Sequence, residues 1–246
     1  MQHPLPSLAS DFVFILDLAA FRAQVAFVPG LKRFLPCALL LLAGCFDYSE
    51  SIYFSGDLSG FVEIEYWVPL RNKSESSLIS YFQIEKADIN KRYTQTLARP
   101  VEITDYSKSI EQKQEGNRIG HVRYRIAFRA PGELERILIG KTRVYFHDGR
   151  YVIQRNIPSA PALSDEAGRI SRRVHELMRT TMTGHKLSFW IFYPEQFDLF
   201  TNHGTIIRPG VQSLTLPMIT TLNNSGVVWT MEIKTNPLPL VAPRTR

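Results

Sequence analysis

The side chains able to do chemistry are few and scattered. Glu63 and Glu65 stand two apart in the alternating stretch 61–68, and paired carboxylates are common equipment for general acid/base work. Alternation accounts for them equally well, because residues i and i+2 of a strand share one face, here the solvent face. The six histidines, His3, His121, His147, His175, His185 and His203, include no pair at metal-ligand spacing. His175-Glu176 starts like a zinc-protease helix, but Arg179 stands where the second ligand belongs. Ser59, in Gly56-Asp57-Leu58-Ser59-Gly60, is one residue out of register for a nucleophile elbow. The sequence has no phosphate-cradling glycine loop, so neither metal nor cofactor is expected. A hydrolase assembled from distant groups, Glu63 or Glu65 with His121, is the alternative to a non-catalytic protein. It requires a deep pocket in which those groups meet.

The remaining reactive group is sulfur. Cys37 and Cys45 are the two cysteines, and Cys45 ends a short patterned segment. Lys32 and Arg33 are followed by an apolar run to Leu42, and then by Ala43 and Gly44, small enough for a membrane-embedded protease to approach the backbone. Leu42-Ala43-Gly44-Cys45 resembles the lipobox of bacterial lipoprotein precursors at each of its four positions. The resemblance implies cleavage between Gly44 and Cys45, a thioether from the Cys45 sulfur to diacylglycerol, and acylation of the new α-amine. Only a polarisable nucleophile of moderate pKa does this readily. At roughly 0.8 kcal/mol per buried methylene, two or three chains anchor the protein to a membrane for good. Residues 34–46 number 13, whereas a membrane span needs about 20. Pro36 also weighs against a buried helix.

Four segments follow from this. Residues 1–30 read as an extension upstream of the true start, because an n-region is normally a few residues long and Asp17 and Arg22 interrupt the apolar run 12–28. Residues 31–44 are the lipoprotein signal peptide, residues 45–234 one β-rich domain, and residues 235–246 a loose basic tail with three prolines. The chain carries net charge +6, and residues 45–246 carry 26 Lys+Arg against 21 Asp+Glu, or +5. Both signs are interspersed, which fits a solvated surface rather than a nucleic-acid patch. With Cys45 acylated, the domain has no disulfide and must be held by packing.

Strands are expected at 51–55 and 61–68 around a Gly/Asp/Ser turn, with Val62, Ile64, Tyr66 and Val68 on one side. Helical spacing predicts one or two short helices within 78–97, ended by Pro100. Strands are expected again at 101–110 and 120–129. The latter turns Val122, Tyr124, Ile126 and Phe128 inward, and His121, Arg123, Arg125 and Arg129 outward. Beside strand 61–68, those arginines would face Glu63 and Glu65 as cross-strand pairs. A two-turn helix is expected at 133–139, and a hairpin, 142–147 with 150–155, around Asp148-Gly149, a type I′ signal. After a linker at 158–161, the best helix starts at the N-cap Ser164 and ends before Gly184. Strands at 187–193, 205–207, 214–221 and 226–234 complete an α+β fold: a curved, mainly antiparallel β-sheet packed by two or three helices.

Two distant pieces are similar to the LppM-like lipoprotein domain. One is 48–66, an aromatic-acid pair, strand, turn and alternating strand. The other comprises Phe192-Tyr193-Pro194, Thr201-Asn202 and Val228-Trp229-Thr230. Two departures are His203 between Thr201-Asn202 and Gly204, and residues 235–246, which cannot form the carboxy-terminal membrane helix frequent in that family. The resemblance implies a curved antiparallel sheet and a lipid or glycolipid ligand. An apolar groove between sheet and helices would be lined by Tyr66, Tyr124, Phe128 and Trp229, although plain core packing accounts for these four aromatics better. The expected protein is a non-catalytic, lipid-anchored envelope protein that binds an amphiphile or supports an envelope assembly. Its partners are the membrane and not nucleic acid.

Overall fold

The computed structural model describes residues 47–71, 75–77, 81–112, 118–157, 183–218 and 227–235. Cys45 with the signal segment, the linker at 158–161, the body of the 164–183 helix and the tail lie outside the described residues. The chain runs β1 (Asp47–Phe54), β2 (Gly60–Pro69), α1 (Lys86–Leu97), β3 (Ile103–Gln112), β4 (Arg118–Phe128), a 3-10 turn (Pro131–Glu133) and α2 (Leu134–Ile137). It continues with β5 (Lys141–His147), β6 (Arg150–Ile157), β7 (Lys186–Phe192), β8 (Phe197–Thr201), β9 (Thr205–Arg208), β10 (Val211–Pro217) and β11 (Val227–Thr235).

The fold is α+β and dominated by antiparallel sheet, but the strands form two sheets where one was expected. The larger has the order β3-β4-β2-β1-β7-β10-β9 and the smaller β5-β6-β11-β8. The pairing of β1 with β7 is parallel, and the other described pairings are antiparallel. Side-chain alternation says which face of a strand is buried, not which strand lies beside it. The inward sets of β6 (Ile153, Ile157) and β11 (Trp229, Met231, Ile233) therefore look the same in either arrangement. Here they face the inner side of the large sheet, so the smaller sheet and α1 together cover that side. β8, a five-residue strand missed in the sequence, pairs with β11 at the edge of the smaller sheet.

Local chemistry sets the turns. Between β1 and β2, Ser59 donates its N–H (3.0 Å) and hydroxyl (2.6 Å) to Asp57 Oδ1. Gly60 follows because a Cβ there would lie 1.8 Å from the Tyr53 carbonyl oxygen. Asp148 (φ 48°) and Gly149 (φ 72°) make the expected type I′ hairpin between β5 and β6. In α1, Ile89, Tyr93 and Leu97 recur every four residues on one buried face. Ala98 leaves the helix in the left-handed conformation (φ 53°), ahead of Pro100. The helix begins later than the sequence spacing predicts; Phe82 and Ile84 are buried in a turn-rich lead-in. The two helical turns expected at 133–139 shorten to the 3-10 turn and the four-residue α2. Among the described residues no helix is long and apolar enough to cross a membrane.

Among the described residues a buried ion pair crosses the core. Arg155 on β6 donates Nη1 (2.6 Å) and Nη2 (3.0 Å) to the two carboxylate oxygens of Glu50 on β1, joining the sheets. Arg155 Nε donates to the Ile139 carbonyl (2.8 Å), and the Tyr48 hydroxyl donates to Glu50 (2.8 Å). The guanidinium also lies 4.5 Å from the Phe189 ring centroid. Glu50 is 1% exposed and Arg155 0%. A charge pair so buried persists because its geometry is bidentate and further hydrogen bonds satisfy it.

Candidate functional site

The outer face of the large sheet gathers the polar residues singled out in the sequence. β2 and β4 pair with Glu63 opposite Arg125 and Glu65 opposite Arg123, so the expected cross-strand arrangement is found. One bond runs straight across, Arg125 to Glu63, and two run diagonally. Glu63 accepts from both Arg123 Nη2 (2.9 Å) and Arg125 Nε (2.7 Å), while Glu65 Oε1 lies 2.7 Å from His121 Nε2. Burial pulls the Glu63 carboxyl upward, but hydrogen bonds from Arg123 and Arg125 and their charge outweigh it and hold it below the ordinary carboxylate range. Arg125 Nη1 also donates to Asp105, which sits at φ 48° where β3 breaks register between Thr104 and Ser107. This β-bulge turns an acidic side chain onto the neighbouring arginine.

Aromatic rings stand upright among these charges. Tyr53 is stacked between Phe61 (4.4 Å between centroids) and Phe192 (4.3 Å), with Trp190 6.4 Å beyond Phe192. Arg125 lies 4.8 Å from the Phe61 ring centroid, and Trp67 stacks on His121 at 4.3 Å. Because the rings cover one another's faces, they offer their edges to solvent. Burial, followed by the Glu63 charge, raises the Tyr53 hydroxyl, so it remains a neutral hydrogen-bonding group at neutral pH. At the β1–β2 turn end, this face opens into a cleft of about 650 Å³ whose polar lining includes Asp57, Ser59, Asp105, Arg125 and Arg129. Hydrogen bonds from Ser59 hold the Asp57 carboxyl below its usual range.

This arrangement is equipped for binding by charge-assisted hydrogen bonds and ring edges. For acid/base chemistry it brings His121 and Glu65 together, but not in the cleft: neither lines it, and Glu65 is four residues along β2 from Phe61, about 13 Å away. Ser109 faces His121 across the β3–β4 pair, yet no hydrogen bond joins the two among the described contacts. Among the described residues no three His, Cys, Asp or Glu side chains gather as a metal site.

The four expected ligand contacts are packed in the core. Tyr66 is 1% exposed, Tyr124 3%, Phe128 2% and Trp229 0%. The Tyr66 hydroxyl donates to the Gln83 carbonyl, and its ring meets Tyr124 edge-on at 6.1 Å. Phe128 meets Phe54 at 5.5 Å, and Trp229 lies 5.8 Å from Phe189. Trp229 Nε1 donates to Thr201 Oγ1 (2.7 Å) and to the His203 carbonyl (3.1 Å). Asn202 completes that corner by donating to the Val228 carbonyl and accepting from the Thr230 N–H, in place of a strand neighbour. The rings expected to line one groove are instead packing members of one continuous core between the large sheet, α1 and the smaller sheet. Gly44 and Cys45 lie outside the described residues.

Two features escaped the sequence reading. Glu50 falls in phase with buried Tyr48, Ile52 and Phe54, and Arg155 in phase with Ile153 and Ile157; a charge on the inward phase of a strand was the available signal. The outward rings of Tyr53, Phe61, Trp67, Trp190 and Phe192 were legible in the same way. Among curated proteins none matches the chain. A family model described as LIC11874-like matches residues 40–237, from the apolar run before Cys45 to just past β11, and the chain belongs to this LIC11874-like family.

Proposed function

We propose that the protein is a lipid-anchored component of a bacterial cell envelope, tethered through Cys45, with a non-catalytic β-rich domain that acts as a scaffold through the outer face of its large sheet. The observation that carries the reading is Leu42-Ala43-Gly44-Cys45 two residues ahead of β1 in the sequence. Two further features support it. The family match begins at residue 40, close to the proposed processing site. The inner aromatics are consumed by packing, which favours recognition at a surface over an amphiphile held between layers. Replacing Cys45 with Ser is expected to move the protein from the membrane fraction to the soluble fraction, or to leave it as uncleaved precursor. Unchanged processing and membrane retention of Cys45→Ser would reject the tether.

The His121–Glu65 contact favours hydrolysis as a second reading. It requires a substrate whose turnover by the purified domain is lost in His121→Ala, and activity unaffected by that change would remove it.

A further inference from the structure

We infer that the domain stands on the membrane with the Asp47, Trp67 and Lys186 end of its large sheet against the phospholipid headgroups, and with the β1–β2 cleft turned away from them. This rests on the Cys45 tether proposed above. A single residue, Phe46, separates Cys45 from Asp47, so the anchor and the fold are two Cα steps apart, at most about 7 Å. That short connection meets a fixed point. Asp47 pairs with Trp67, and its Oδ1 accepts from the Lys186 N–H (3.1 Å) and lies 3.2 Å from His185 Nδ1. From Tyr48 to Tyr53 the strand is hydrogen-bonded on both sides, by β2 and by β7. β1 therefore cannot peel away to lengthen the tether without opening the middle of the sheet.

The direction of the strands then separates the two ends. β1 leads away from the anchor for eight residues, which places Phe54 about 23 Å from Asp47 at ~3.3 Å per residue. Antiparallel β2 returns to the anchored end at Trp67, and β4 starts beside it at His121 and leads away again, which leaves Phe61 and Phe128 at the other end and Arg125 between. Trp67, half-buried and stacked on His121, has the apolar body and polar N–H suited to the headgroup layer. The cleft, with its mixture of Asp57, Asp105, Arg125 and Arg129, opens on the aqueous side. What occupies it approaches from water, not from the bilayer that holds the anchor.

Two labelling positions test this orientation. With Cys37 in the removed signal and Cys45 acylated, a single introduced cysteine is the one free thiol. Lys186→Cys marks the anchored end; Gly132→Cys marks the far end, where an added Cβ meets nothing within 4 Å. The acylated full-length protein, in vesicles of phosphatidylethanolamine and phosphatidylglycerol with a headgroup-labelled energy acceptor, is expected to show quenching about threefold or more stronger at position 186 than at 132, given the ~23 Å strand length between the ends. Equal quenching would mean that the domain lies flat, and stronger quenching at 132 that it stands inverted. Either overturns the orientation while leaving the tether intact. Flotation and the mass of the amino-terminal peptide, measured on the same sample, separate these results from loss of the tether itself: an unacylated, non-floating protein overturns both.

Discussion

The two faces of the large sheet use the same pair of residue types for opposite ends. On the inner face Glu50 and Arg155 are sealed between two sheets; on the outer face Glu63 meets Arg123 and Arg125 beside solvent. The hydrogen-bond distances are alike, so geometry does not separate them. Burial does. Removing one partner of a sealed pair strands a charge in the interior, at about 3–5 kcal/mol, whereas an exposed pair contributes roughly 0.2–1 kcal/mol. The inner pair therefore fixes how the sheets sit on one another, and the outer network holds side chains in place while leaving them open to a partner.

Separating the two faces experimentally begins with the largest effect. Arg155→Ala is expected to lower unfolding stability by about 3–5 kcal/mol in urea titration, and Glu50→Leu combined with Arg155→Leu to recover most of it, because the apolar double replacement leaves no orphan charge. A loss below about 1 kcal/mol for the single variant would erase the distinction between faces. Gly60→Ala, which sets a methyl group against the Tyr53 carbonyl at the edge of the cleft, is expected to cost about 1–3 kcal/mol by overpacking.

Glu63→Gln, on the open face, is expected to cost less than about 1 kcal/mol at neutral pH, and less still in high salt. Acid titration gives the sign of its contribution. The folded Glu63 carboxyl sits below its ordinary value, so it adds stability above the ordinary carboxylate pKa, and that stability is lost as pH falls through the depressed folded value. Glu133, held low first by its hydrogen bond from Arg99 and against the upward pull of burial, behaves in the same direction. The Glu63→Gln and Glu133→Gln variants should each show a shallower fall in stability on acidification than the parent. A gain of comparable size, about 0.5–1 kcal/mol, is expected at Ala98→Gly, which removes a side chain from a left-handed helix end.

Most strands were legible because alternation is a local property. Val62 to Val68 and Val122 to Phe128 declare their buried faces at every second residue, and with β2 beside β4 the pairing of Glu63 and Glu65 with the arginines follows. The Asp148-Gly149 hairpin was legible because positive φ at both centres restricts residue choice. What could not be read was long-range partnership. Nothing local tells β6 and β11 that they form a second sheet, or β1 that it runs parallel to β7, more than a hundred residues on. Tyr66, Tyr124, Phe128 and Trp229 each point inward, a pattern shared by a groove lining and a packed core, and their burial places them in the core.

The tether, the orientation of the sheet and the outward cleft all follow from the proposed thioether at Cys45. The mass of the amino-terminal peptide of the mature protein, isolated from membranes, measures that bond directly. The expected peptide begins at Cys45, and its mass includes a thioether-linked diacylglycerol and an amide-linked acyl chain. A peptide that retains residues ahead of Cys45 and carries an unmodified thiol would contradict the tether.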